Sequence, residues 1–224
     1  MPGIQRTQTA PGSSANRETV AAHVQSQKDV KLKIVILGPD GAGKSSVIQG
    51  LIGKLSDAGR VVKVRHLKPL LVMRRPGQSV AIVVDPHGKP PRSALVSIAK
   101  IVVWLVEEWY ANLFQDRKQT LLICDRYYHD LLVDPIRYRY GGPAWAARWV
   151  GKLMPQPDLW LLLDAPAEVL QARKQEVAFE ETLRQCNAYR AFVLNQRNHA
   201  MIDAAQSLGQ VTADVEEAIN RALA

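Results

Sequence analysis

Apolar residues in this chain of 224 residues fall into short continuous runs that alternate with stretches of helical spacing. Continuous runs at 31–37, 61–66, 119–124 and 159–163 predict strands buried on both faces, and a shorter run at 210–212 predicts a fifth. Between them, apolar positions recur three and four residues apart over 44–58, as Val47, Ile48, Leu51, Ile52 and Leu55, with Gly59 as a stop. Ser93 caps a helix running to about residue 116, whose apolar face is broad: Leu95, Ile98, Ile101, Val102, Leu105, Val106 and Trp109. Further helices are expected at 127–133, 143–153, 167–174, 180–206 and 215–224. Strands alternating with helices predict a parallel sheet covered on both faces, a three-layer α/β/α fold. The first 30 residues are rich in Gln, Ser, Thr, Pro and Ala and read as a flexible tail before one folded domain over 31–224.

The turn between the first run and the first helix carries chemistry. Gly38-Pro39-Asp40-Gly41-Ala42-Gly43-Lys44-Ser45-Ser46 fits G-x-x-x-x-G-K-[ST], the P-loop pattern. Bare backbone N–H groups approach a polyphosphate where no Cβ intervenes, and Gly38, Gly41 and Gly43 supply that clearance. The following helix points its positive end at the phosphates. Lys44 would reach the β- and γ-phosphates of ATP, and the Ser45 hydroxyl would help hold Mg²⁺. A second acid is expected at the carboxyl edge of the sheet, where Leu121-Leu122-Ile123-Cys124 runs into Asp125. Asp125 would act on Mg²⁺ or cap a helix. Arg126 offers a planar fork for phosphate or an ion pair with Asp125 or Asp130. Tyr127 and Tyr128 either stack on a base or fill the core.

Composition narrows the setting. The formal charge of +8 points to anionic partners. Eight Lys or Arg and one acid lie between Arg60 and Arg92, and Arg137, Arg139, Arg148 and Lys152 are accompanied by no acid from Pro135 to Pro157. Two cysteines without metal or redox spacing fit a reduced, cytoplasmic location. The N-terminus is polar, and the most apolar stretch, 95–113, is broken by Lys100, Glu107 and Glu108, so neither a signal peptide nor a membrane span is expected. Aromatic residues are not interleaved with the basic runs as in nucleic-acid modules, and no Asn-Lys-x-Asp base motif is present. A nucleotide switch or a nucleic-acid-binding protein is therefore the weaker class.

Gly-x-Asp-Gly-Ala-Gly-Lys-Ser, followed some eighty residues later by Asp125-Arg126-Tyr127, resembles the thymidylate kinase family. Leu163-Asp164-Ala165-Pro166 through Arg173-Lys174 resembles its fourth strand, helix and lid, here about 171–182, and Ile202-Asp203-Ala204-Ala205-Gln206-Ser207 resembles the loop beside adenine. The resemblance implies a P-loop fold with a five-stranded parallel sheet and a helical lid, and ATP-dependent phosphorylation of a nucleoside monophosphate, with dTMP the first expectation. It implies that Asp40 contacts the acceptor's sugar hydroxyl. Asp125 and Arg126 would organise metal and acceptor phosphate, and Tyr127 would line the sugar and base pocket. Arg173 would reach the phosphoryl group in flight, and a homodimer is implied, with 95–113 as a candidate interface. Two segments depart from the family. His66-Leu67-Lys68-Pro69 opens a long basic insertion over 67–92 where the family has Arg-Glu-Pro-Gly-Gly. Asp134-Pro135-Ile136-Arg137-Tyr138-Arg139-Tyr140-Gly141-Gly142 replaces its base-binding segment. Lys68, Arg74 and Arg75, with His66 and His87, are candidate acceptor contacts, and another nucleotide or a sugar phosphate is the alternative acceptor.

Removal of residues 1–29 is expected to leave both melting temperature and activity unchanged, because their composition cannot bury enough apolar surface to order them. A clear fall in melting temperature would place the segment in the folded core.

Overall fold

The computed structural model describes residues 32–57, 60–66, 90–115 and 121–223. Five strands form one sheet: β1 (Leu32–Leu37), β2 (Val62–His66), β3 (Leu121–Asp125), β4 (Leu159–Asp164) and β5 (His199–Asp203). Their order is β2-β3-β1-β4-β5, and every pairing is parallel. The helices are α1 (Lys44–Asp57), α2 (Ala94–Tyr110), α3 (Asp130–Val133), α4 (Ala144–Leu153), α5 (Ala167–Arg173), α6 (Phe179–Leu194) and α7 (Leu208–Leu223). A π-helical turn, Ala111–Gln115, extends α2. Ser93 takes the N-cap position of α2 without a side-chain bond.

Period-two alternation divides the same strands between two cores. Ile34, Ile36, Ile123 and Leu161 pack with Leu51 of α1 and Val215 of α7. Val35, Leu37, Cys124 and Leu162 pack with Trp104 of α2 and Val193 of α6. The central strands are covered on both sides, which is why their sequences are apolar throughout, and the three-layer α/β/α arrangement follows. No helix among the described residues is long and apolar enough to cross a membrane.

Two expectations fail at the C-terminal end. The fifth strand is His199–Asp203, not 210–212, and the helix expected over 180–206 stops at Leu194. Edge strand β5 fully buries only Ile202, so its sequence lacks the apolar run that marks the inner strands. Val211 and Thr212 instead share a helical face with Val215, Ala218 and Ile219, at spacings of three and four. The helix expected from residue 127 begins at Asp130. The tail and most of the 67–92 insertion, with Lys68, Arg74, Arg75 and His87, lie outside the described residues.

One charged cluster ties α2 to the sheet. Lys33, inside β1, is nearly buried, and its ammonium lies 3.4 Å from Glu108 and 3.2 Å from the Tyr127 hydroxyl. Arg65 on β2 reaches the same Glu108 oxygen at 2.6 Å. Replacing Glu108 by Ala is expected to cost about 3–5 kcal/mol in chemical denaturation, because it leaves buried cations uncompensated. The double variant Lys33→Met, Glu108→Leu should recover most of that loss. Equal stability of the single variant and wild type would show that the cluster is solvated.

Candidate active site

β1 delivers the chain to the carboxyl edge of the sheet, and the turn that follows is shaped by its glycines. Gly38 has φ +149°, and a Cβ there would stand 2.7 Å from the Leu163 carbonyl oxygen of β4. Gly41, at φ +86°, would meet the Leu170 carbonyl of α5 at 2.8 Å. The turn is therefore seated between β4 and α5. Gly43, at φ +83°, faces open space on the side a Cβ would occupy, which leaves room for an anion against its backbone. Ala42 is buried, whereas Ser45 and Ser46 are exposed on the first turn of α1. The Lys44 ammonium is folded back onto the Gly38 and Pro39 carbonyls, at 2.5 and 2.8 Å. Burial, and then the nearby charge of Arg126, lower its pKa to about 8. A cation in that position gains from an arriving phosphate.

Beside the turn, five charged side chains interlock: Asp40, Arg126, Arg137, Lys174 and Glu176. Arg126 follows β3 in a left-handed conformation, φ 70°, which turns its side chain back over the P-loop. Its guanidinium donates to Asp40 at 2.6 Å and lies 3.7 Å from Asp130. Arg137 donates to the other Asp40 oxygen and lies 3.5 Å from Glu176. Lys174 pairs with Glu176 at 2.5 Å. Burial pushes the Asp40 carboxyl up, but its interaction with Glu176 and the charges of Arg126, Lys44 and Arg137 override it and hold Asp40 well below the carboxylate range. Two further acids orient the arginines. Asp130, fully buried, accepts the Tyr189 hydroxyl at 2.5 Å and the Tyr127 N–H at 2.8 Å. Asp134 accepts the Arg137 N–H at 3.0 Å and the Gln185 amide at 3.2 Å.

Asp125 pairs in register with Ile36 of β1 and His66 of β2, which places it at the sheet's carboxyl edge. One of its oxygens meets His66 Nδ1 at 2.9 Å. No group of three metal-binding side chains occurs among the described residues. A Mg²⁺ carried by a nucleotide needs one or two protein oxygens and takes the rest from phosphate and water, so Asp125 and the exposed Ser45 hydroxyl fit that demand.

The structure redistributes several expected roles. Lys44, Asp40 and Arg126 converge, with Asp125 near enough to act on the Lys44 charge. Arg173 does not point at the P-loop. Its guanidinium donates to the carbonyls of Ala204 and Ala205, at 2.7 and 3.4 Å. It therefore closes the end of the site where the β5–α7 loop lies, together with those two expected cofactor residues. Tyr127 does not line an open pocket either. It is buried, and its hydroxyl donates to the Pro155 carbonyl at 2.6 Å. The left-handed residue Arg126 breaks the alternation of β3, so Tyr127 packs on the same side of the sheet as Cys124, in the core with Trp104 and Trp160. Tyr128 is likewise core, bonded to the Ala147 carbonyl at 2.9 Å. Glu176 is the residue that sequence reasoning missed. Arg137 had a signal, a basic residue in the acid-free 135–157 stretch, whereas nothing in sequence spacing points from Glu176 to Asp40.

No protein-family model matches the chain. It is similar to a curated "Probable thymidylate kinase" of Pyrobaculum aerophilum, 28% identical over 214 residues, covering 84% of this chain and 96% of that protein. It is also similar to proteins named "Thymidylate kinase" from Leuconostoc mesenteroides and Oenococcus oeni. These are 27% and 26% identical, over 83% and 85% of this chain and 93% and 95% of theirs.

Because Asp40 ionises more readily in the folded chain than near its ordinary value of 3.8, it stabilises the fold above that value. The stability advantage of wild type over Asp40→Asn is expected in full at neutral pH and should shrink as pH falls below 3.8. A difference that does not change with pH in denaturation experiments would show that shape, not charge, is what Asp40 supplies.

Proposed function

We propose that this chain, a member of the thymidylate kinase-like family of P-loop proteins, transfers the γ-phosphoryl group of ATP to the phosphate of a nucleoside monophosphate, with dTMP the first substrate to test. The observation that carries this reading is the pair of arginine forks, Arg126 and Arg137, converging on P-loop Asp40 beside Lys44. Two guanidinium groups that near a phosphate-binding turn suit a second phosphate next to the first. Phosphoryl transfer asks a protein mainly for positioning and for neutralisation of equatorial oxygens.

In this reading Lys44 leaves the Gly38 and Pro39 carbonyls for the β- and γ-phosphates, and Gly41, Ala42, Gly43 and Ser46 offer their backbone N–H groups. Ser45 and Asp125 would hold Mg²⁺, which would supply positive charge beside the donor phosphates. Arg126 and Arg137 bind the acceptor phosphate, whose charge competes with Asp40 and Glu176 for them. Glu176 and Lys174 belong to the proposed lid at about 171–182, so engagement of Arg137 by acceptor loosens a contact of that segment. Arg173, Ala204 and Ala205 border the base of ATP. A lid that shuts over the site keeps water from the phosphoryl group. ATP and the two reduced, buried cysteines suit the cytoplasm. The exposed Leu95, Val102, Val106 and Trp109 of α2 would serve a homodimer, which a monomer mass in light scattering would rule out.

A second reading, the same transfer to another anionic acceptor, is favoured by Arg137. It lies in the Asp134–Gly142 segment, where the chain departs from the family pattern. ADP production against nucleoside monophosphates and sugar phosphates separates the two. Lys44→Ala is expected to abolish transfer without unfolding the chain. Arg137→Gln should raise the acceptor KM about tenfold, the worth of a charge-assisted bond, and leave the ATP KM nearly unchanged. Normal turnover by folded Lys44→Ala protein would end the kinase reading, and an unchanged acceptor KM would remove Arg137 from it.

A further inference from the structure

A second concentration of positive charge has no part in the phosphoryl-transfer reading above. Lys100, on α2, donates to the Tyr138 carbonyl at 2.9 Å, and its ammonium stands 4.6 Å from the Trp104 ring centroid. The Arg92 N–H donates to the Arg139 carbonyl at 3.0 Å, and Arg139 Nε donates to the Pro90 carbonyl at 3.0 Å. Gly141 lies so close beneath this strand of chain that a Cβ would come 2.0 Å from the Arg92 carbonyl, and its N–H donates to Ser97 of α2 at 2.9 Å. Residues 90–92, 139–141 and the first turns of α2 are thus packed as one unit carrying three cations. Arg139 adopts a left-handed backbone, φ 52°, to join it. Among the described residues, none of the three pairs with a carboxylate, and the hydrogen bonds of Lys100 and Arg139 go to backbone carbonyls. Burial and then the charges of Arg92 and Arg139 lower the Lys100 pKa to about 8. Among the described residues no carboxylate offsets the cost of holding these like charges near one another, and the Trp104 ring and the Tyr138 and Pro90 carbonyls meet it only in part.

The cluster adjoins the acceptor side. Arg137 and Arg139 flank Tyr138 in one turn. The Tyr138 ring packs edge-on against Trp104, with centroids 5.6 Å apart, and lies 5.8 Å from the Lys100 ammonium. At its far end the buried Tyr138 hydroxyl has no hydrogen-bond partner, and Asp130 and Arg126 act on it electrostatically. Tyr138 is thus the wall between two groups of cations, with an unsatisfied polar atom on the Arg126 side.

We propose that the acceptor is a doubly anionic small molecule, with one phosphate taken by Arg126 and Arg137 and a second phosphate or carboxylate taken by Arg92, Lys100 and Arg139. The proposal rests on the phosphoryl-transfer reading of the first pair and, within it, takes the second acceptor reading, another anionic molecule, over dTMP. A neutral base ring would leave the three cations to repel one another, whereas an anion relieves the repulsion and gains charge-assisted hydrogen bonds.

Calorimetric titration of the full chain with ADP present tests this, using alkanediyl bisphosphates of increasing length, ω-phosphonooxy carboxylates and alkyl monophosphates. At the best length the bisphosphate is expected to bind about tenfold more tightly than the monophosphate. A tighter carboxylate at matched length would assign a carboxylate as the second anion instead. Lys100→Met and Arg139→Gln should each erase the advantage and leave monophosphate binding unchanged. Arg92→Gln, at an exposed position that cannot disturb the core, should reduce it. The proposal is overturned if no dianion at any length outbinds the monophosphate, or if the advantage survives all three substitutions. Binding needs no turnover. A dianion advantage lost in Lys100→Met, with no ADP formed from any compound, would keep the doubly anionic ligand and remove the kinase reading alone.

Discussion

A guanidinium group held away from water needs carboxylates on more than one side, and the site is arranged around meeting that need for Arg126. Asp40 approaches from the P-loop and Asp130 from α3. Burial lowers the Arg126 pKa, while Asp130, Tyr138 and Asp40 raise it further, so its charge is fixed. Asp130 in turn is held by the hydroxyl of Tyr189 on α6. One side chain therefore relates the P-loop, the end of β3 and two helices. The left-handed backbone at Arg126 is the local cost of that arrangement, offset by the bonds its side chain makes.

The parts of this molecule that were legible in its sequence share a physical cause. Inner strands buried on both faces must be apolar throughout, so β1, β3 and β4 announced themselves. A turn that wraps phosphate must have glycine where φ is positive, and Gly38, Gly41 and Gly43 have it. Edge strand β5 escaped because one buried residue, Ile202, leaves no run to detect. Tyr127, which the sequence left open between pocket and core, lies in the core, and Arg173 bonds the Ala204 and Ala205 carbonyls. Direction depends on what the neighbouring elements leave open, here the Pro155 and Ala204 carbonyls, and no sequence spacing encodes it. The Arg137–Asp40–Glu176 contact joins residues from three distant segments, and like most tertiary ion pairs it leaves no periodic trace.

Under the proposed function the site has a donor half and an acceptor half. On the donor side, Lys44 bonds the Gly38 and Pro39 carbonyls of its own turn and Arg173 bonds the carbonyls of the Ala204–Ala205 loop, so both contacts are made to backbone. On the acceptor side, contacts would be made by long cationic side chains, Arg137 in the turn after α3 and Lys100 on α2. Such side chains can be repositioned without moving the sheet, so acceptor choice can diverge while the donor half stays fixed.

The carboxylates that grip Arg126 and Arg137 have one more effect. A pocket of bare arginines would fill with inorganic phosphate, which is abundant wherever ATP is made and used. Here Asp40 and Glu176 already satisfy those cations, and a small free anion must displace both to enter. A larger ligand brings additional contacts that outweigh the displaced pairs, and a lone phosphate does not. Under the proposed function the internal acids would set a threshold on occupancy that favours molecules with more than one handle.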